Sequence, residues 1–228
     1  MFNTEHKKVL DLINEETYII SDTHFNHKNI LEFEQSRLTA MNIDGHVDHD
    51  EWIIETWNSI IKPTDVVLHL GDFAFKNIPA LQNRLNGTKI LILGNHDRKG
   101  PKVYENIFDY VIRGLWVEAG MQQKHYLHSE TTDELTSMLI KSIGNHRVLF
   151  CHYPVCETEL RWSEGKKYHP MTDRLLLAKD LYYEYGCTVN VHGHTHSNCM
   201  VDRDMRVFRN ASLENIGMNP IKIKQLLK

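Results

Sequence analysis

Five short apolar runs, each ending abruptly in Gly, Asp, Asn or His, constrain this chain more than any other feature. They are TYIISD (17–22), DVVLHLGD (65–72), KILILGNHD (89–97), HRVLFCH (146–152) and TVNVHGH (188–194). Short β-branched runs of this kind read as strands buried on both faces, because a strand with one wet face would alternate instead. Segments of helical period separate them. In DHDEWIIETWNSIIK, Trp52, Ile53, Thr56, Trp57, Ile60 and Ile61 share one stripe, and Pro63 stops the helix. IPALQNRL reads as a short helix ended by Asn86-Gly87, and TDRLLLAKDLYYEYG as a helix ended by Gly186. Strands alternating with helices predict an α/β fold with a layered sheet, and in such sheets ligands gather beyond the carboxyl ends of the strands.

Every polar cluster lies at that end of its run. In order they are Asp22-Thr23-His24, Gly71-Asp72, Gly94-Asn95-His96-Asp97, His152 and Gly193-His194-Thr195-His196. Seven of these side chains offer carboxylate, imidazole or amide oxygen, with no thiolate. Such a mixed set suits Mn, Fe, Zn, Co or Ni in expanded coordination better than a structural zinc. Seven ligands exceed what one ion takes and fit two ions that share a carboxylate and a water. The pattern points to a dinuclear site.

The blocks D-x-H, G-D, G-N-H-D, an isolated H and G-H-x-H, in this order from residue 22 to 196, closely resemble the calcineurin-like metallophosphoesterase family. The resemblance implies a four-layer α/β/β/α sandwich. It implies that Asp22, His24 and His196 hold one metal, that Asn95, His152 and His194 hold the other, and that Asp72 bridges both. Manganese is the first expectation for the pair of divalent ions, with Fe, Zn, Ni, Co or Mg as alternatives. The implied reaction is hydrolysis of a phosphoester by a hydroxide bridging two ions roughly 3.5–4 Å apart. By the same resemblance His96 stabilises the transition state or protonates the leaving oxygen, with Asp97 orienting it.

SDTHFNHKNILEFEQSR further resembles a bacterial and phage-type branch of the family. There Asn26, His27 and Arg37 either line the pocket and contact phosphate or cap a helix beginning near Lys28. The segment ETELRWSEGKKYH (157–169) is read either as a lid, with Arg161 and Trp162 facing a nucleotide, or as a solvated loop. His192 and His69 lie inside strand runs and read as packed histidines, His125 and His128 as surface-strand residues, and His46 and His49 as solvent-facing. Segments 110–128 and 206–211 look like strands of a second sheet, 129–145 like a polar loop or short helix, and the second GNH, at 144–146, like a turn.

The second block continues as GDFAFK rather than G-D-x-x-D-R-G, which argues against a protein phosphatase. A small phosphodiesterase or phosphohydrolase with a nucleotide-type substrate is expected, against a nuclease of the same fold or a non-catalytic scaffold. Net charge is −4 with no long block of one sign, so broad attraction to nucleic acid is not expected, although a metal pair would supply local positive charge for a phosphate. Cys151, Cys156, Cys187 and Cys199 form no CxxC pair, and neither a secretory leader nor a membrane-spanning run is recognised. With 228 residues and 41% hydrophobic composition, one domain over 1–228, soluble and cytoplasmic with reduced thiols, is the expectation.

Overall fold

The computed structural model describes residues 4–97, 101–118, 137–155, 171–196 and 207–228. The expectations for His125, His128, Arg161 and the 157–169 segment lie outside these residues. In chain order the strands are β1 (Tyr18–Ile20), β2 (Val66–His69), β3 (Thr88–Ile92), β4 (Tyr110–Ile112), β5 (Leu115–Val117), β6 (Met138–Ile143), β7 (His146–Cys151), β8 (Val189–His192), β9 (Phe208–Asn210) and β10 (Ile221–Lys222). The α-helices are α1 (Thr4–Leu12), α2 (Ile30–Phe33), α3 (Gln35–Ile43), α4 (His49–Ile60), α5 (Pro101–Tyr104), α6 (Met171–Glu184) and α7 (Ile223–Leu226).

Among the described residues, two five-stranded sheets result, ordered β10-β1-β2-β3-β4 and β5-β6-β7-β8-β9. In the first, β1 to β4 run parallel and β10 is antiparallel at the edge. In the second, β7, β8 and β9 run parallel, and β6 turns back on β7 through Gly144-Asn145, with Gly144 at φ +56°. All five apolar runs contain strands. Segment 110–128 divides between the sheets in its described part: β4 pairs with β3 and closes the first sheet, whereas β5 opens the second. Segment 129–145 also departs from the sequence expectation in its described part, because 138–143 is a six-residue strand whose inward residues Leu139 and Ile143 are buried between the sheets. The helix expected over IPALQNRL is a single 3₁₀ turn, Ile78–Leu81.

The alternation of side chains along each strand builds three apolar layers. Ile19, Leu68, Ile90 and Ile92 of the first sheet meet Leu139, Val148, Phe150, Val189 and Val191 of the second. On the far side of the first sheet, Ile20, Val67 and Leu91 pack with Trp52, Ile53 and Trp57 of α4. On the far side of the second, Met138, Ile140 and Leu149 pack with Ala178, Leu181 and Tyr182 of α6. The order is therefore α/β/β/α. Helix α4 starts where Asp48 accepts hydrogen bonds from the backbone N–H groups of Asp50 and Glu51. Among the described residues, no helix is long and apolar enough to cross a membrane.

Candidate metal centre

The carboxyl ends of β1, β2 and β3 lie beside those of β7 and β8, so loops from both sheets meet at one edge of the sandwich. Asp22, His24, Asp72, Asn95 and His152 are buried there, while His194 and His196 are partly exposed. Among the described residues, the motif side chains form two nitrogen–oxygen clusters, and Glu34 and Glu214 lie beside His196. In one, His24 Nε2 and His196 Nε2 are 3.0 Å apart and lie 3.7 and 3.5 Å from Asp22 Oδ1. In the other, His152 Nε2 is 2.9 Å from Asn95 Oδ1, 3.2 Å from His194 Nδ1 and 3.5 Å from Asp72 Oδ2. Asp72 Oδ2 also lies 3.8 Å from His24 Nε2, between the two clusters. The seven side chains expected from the motifs thus converge.

The backbone here is held in an uncommon conformation. Asp22, His24, Asp72, His194 and His196 all have positive φ, from 48° to 72°. Asp and His tolerate the left-handed region better than most residues, yet each such position costs of order 1–3 kcal/mol and persists only where its surroundings impose it. Gly94 and Gly193 serve a different need from chain reversal. A Cβ on Gly94 would sit 2.3 Å from Asp72 Oδ1, and one on Gly193 would sit 2.3 Å from Asp22 Oδ2. These two glycines leave space for the carboxylates of neighbouring loops.

Several donors have one atom anchored and another turned into the centre. His152 Nδ1–H donates to Leu70 O at 2.9 Å, so Nε2 is the ring atom that faces Asn95 and Asp72 and would give up its proton to a cation. Asp22 Oδ2 accepts from His194 N and Ser212 Oγ, while Asp22 Oδ1 is buried with no hydrogen-bond donor among the described residues. His24 Nδ1 is likewise buried without a partner among them. A buried carboxylate oxygen and imidazole nitrogens converging within hydrogen-bond distance are what a divalent cation requires.

Burial disfavours charge on Asp22 and Asp72, but the surrounding imidazoles outweigh it and hold both carboxyls well below the usual range. His152, also opposed by burial, is pushed up to about 9 by Asp72 and Asp22. Burial and the neighbouring His152 push His194 down to about 3.

Other expected residues are placed differently. His96 is exposed, with Nε2 3.9 Å from Asp72 Oδ2 and its backbone N–H donating to Asp72 Oδ1. Asp97 is buried, and its carboxylate accepts from the backbone N–H groups of Asp72, Phe73 and Gly94, so its oxygens tie two loops together instead of orienting the His96 ring. Arg37 is fully buried beneath the site, with Nη2 donating to Asp22 O and Nη1 to Thr23 O, away from any phosphate at the mouth. Asn26 is tied by its backbone, which donates to both carboxylate oxygens of Asp50. His27 accepts from Asn29 N just before α2 and also packs edge-on to Phe75. His49, expected at the surface, is buried against Arg37 and Asp50. His69 and His192 are packed as expected. Thr23 Oγ1 donates to Phe73 O, so His69 Nε2–H donates to Thr23 Oγ1 while Nδ1 accepts from Gly71 N. His192 Nδ1 donates to Gly193 O.

Two features had no sequence signal. Glu214, in a single 3₁₀ turn after β9, accepts from both Arg37 Nε and His196 Nδ1. A row of rings also borders the centre: Phe75 lies 5.3 Å from His24, 4.7 Å from His96 and 4.2 Å from His27, and exposed Phe33 lies 5.8 Å from His27, between ring centroids.

Comparison with known proteins agrees with this picture. The family model for the calcineurin-like phosphoesterase superfamily domain matches residues 16–214. An uncharacterized protein of Methanocaldococcus jannaschii, MJ1445, is 36% identical over 90 residues, a stretch covering 37% of this chain and about half (48%) of that protein. The Gene 66 protein of Mycobacterium phage L5 is 25% identical over 194 residues, covering 82% of this chain and 80% of the phage protein. Among solved structures, a protein of unknown function from Aquifex aeolicus, AQ665, superposes with a TM-score of 0.63 at 25% identity, covering 92% of this chain and 96% of its own. The chain belongs to the calcineurin-like phosphoesterase superfamily, whose members typically bind divalent metal ions.

Proposed function

We propose that this member of the calcineurin-like phosphoesterase superfamily hydrolyses phosphodiester bonds in a small, nucleotide-type substrate, using two divalent ions, with manganese the first candidate. The observation that carries the reading is the pair of clusters on either side of Asp72: Asp22, His24 and His196 would hold one ion, and Asn95, His152 and His194 the other. Asp72 Oδ2, within 4 Å of a histidine nitrogen from each cluster, would touch both. Bound there, the ions supply Lewis acidity that lowers the pKa of a water and offsets charge on the phosphoryl oxygens.

The protein's own groups do the rest. His96, whose Nε2 lies 3.9 Å from Asp72 Oδ2 and outside the clusters, would hand a proton to the leaving oxygen. Asp97 acts on it at one remove, by fastening the loop that carries Asn95 and His96 to the loop of Asp72. The ring row from Phe75 through His27 to exposed Phe33 offers flat surfaces for a base, which favours a nucleotide over an aliphatic phosphoester. A cytoplasmic site of action is in keeping with Cys151 and Cys187 being free thiols.

The test is metal analysis of the purified chain followed by hydrolysis of bis-p-nitrophenyl phosphate with and without added Mn²⁺, then a panel of nucleotides, cyclic dinucleotides and oligonucleotides. Two bound ions and Mn²⁺-dependent turnover are expected. Filled sites without turnover would favour a scaffold. Cleavage confined to oligonucleotides, with strong salt dependence, would favour a nuclease.

A further inference from the structure

The geometry points to Glu214 as a positioning residue for His196, with the buried Arg37 guanidinium holding Glu214 and the β1 loop in register. This rests on the two-ion reading above. Glu214 Oε1 accepts from His196 Nδ1 at 3.1 Å and from Arg37 Nε at 2.5 Å. When Nδ1 carries the proton shared with Glu214, Nε2 keeps its lone pair, and Nε2 is the atom facing His24 Nε2 and Asp22 Oδ1. Arg37 completes the arrangement from the other side. It donates to Asp22 O at 2.6 Å and Thr23 O at 3.1 Å, so one guanidinium fixes the backbone of Asp22 while its Nε fixes the carboxylate that orients His196.

Charge gives a second reason for the pairing. A fully buried guanidinium next to two divalent cations would repel them, and the carboxylate of Glu214 offsets that charge without occupying the centre. The planar fork also explains why the residue is arginine, because a lysine ammonium cannot hold two carbonyls and a carboxylate in fixed directions. The same short segment supplies a further tie, since Ser212 Oγ donates to Asp22 Oδ2 and Leu213 N to Ser21 O. Residues 212–214 therefore brace Asp22 and His196, two donors of a single cluster.

The consequence is selective: Glu214 should matter to one ion and not the other. Metal-free protein is titrated with Mn²⁺, with bound and free ion followed by electron paramagnetic resonance, for the wild type, Glu214→Gln and Glu214→Leu. In the wild type two ions bind. In Glu214→Leu one ion is expected to weaken by about 10–100-fold while the other is retained, the usual effect of removing an outer partner of a ligating histidine. Glu214→Gln, which keeps an acceptor for Nδ1–H but loses the charge, is expected to recover part of that loss. Unchanged affinity at both sites in a folded Glu214→Leu, or equal weakening of both in both variants, overturns the inference while leaving the two-ion reading intact. A wild type that binds no Mn²⁺ overturns both.

Discussion

The carboxylate of Asp97 accepts the backbone N–H of Asp72 at 2.8 Å, so the loop after β3 is fastened to the loop after β2 directly beneath the candidate bridging residue. The same carboxylate takes the N–H groups of Gly94 at 2.8 Å and Phe73 at 3.1 Å. Asp97→Ala leaves buried donors unsatisfied at about 1–3 kcal/mol each. We expect a stability loss of at least about 2 kcal/mol in urea unfolding, together with weaker Mn²⁺ binding. An unfolding midpoint equal to wild type would remove Asp97 from this role.

His96→Ala should behave in the opposite way. Its ring is exposed and the donor clusters are complete without it. Both ions should remain, by elemental analysis, while turnover of a nucleotide phosphodiester with an alkoxide leaving group, which needs a proton to depart, falls by on the order of 10²–10⁴. Full turnover in a metal-loaded variant would exclude His96 as the proton donor.

The three histidines of VNVHGHTH should separate under the same metal assay. His194→Ala and His196→Ala each remove a converging nitrogen and should each lose about one equivalent of metal. His192 is buried with Nδ1–H committed to Gly193 O, and burial pushes its pKa down to about 4. His192→Ala should lower the thermal midpoint yet retain both ions. Equal metal loss in all three variants would mean that the boundary of the centre lies elsewhere.

His69 predicts a pH dependence. Burial pushes this imidazole from its ordinary value down to about 3, so the folded state keeps it neutral while the unfolded chain takes up a proton below about 6.5. The unfolded state then binds more protons, and stability falls as pH falls, by about 1.4 kcal/mol per pH unit from this group alone. His69→Gln removes the titration. Urea midpoints of wild type and variant, compared between about pH 7 and pH 5, should converge toward acid, as the group's ordinary value lies inside that window; parallel curves would contradict the assignment.

Phe33 and Phe75 test the nucleotide reading. Base stacking on an aromatic ring contributes about 1–3 kcal/mol. Phe33→Ala should therefore raise KM for a nucleoside diester by at least about 5-fold and leave KM for glycerophosphodiesters unchanged. An equal effect on both substrates would argue that the ring row only packs.

What the sequence made legible follows from how far apart the determinants lie. The five apolar runs form strands because burial on both faces demands continuous apolar residues, and each donor follows its strand within four residues. Strand β6 escaped because Lys141 and Ser142 interrupt its apolar run, and pairing with β5 and β7 fixes its conformation. Arg37 escaped for a stronger reason. Nothing near EQSR says that its side chain will be buried, since its carboxylate partner is 177 residues away. Glu214 carries no motif, and its meaning appears only once the turn after β9 is brought under His196.

The two sheets contribute unequal and interdependent shares of the centre, and this sets an order of events during synthesis. Asp22 and His24 leave the ribosome early, but the nitrogen that faces His24 belongs to a residue 172 positions later. A chain arrested before β8 would carry the first four donor loops with no means of closing either cluster. If the proposed pair of ions is bound, full metal content would therefore report that synthesis and folding have both passed that strand.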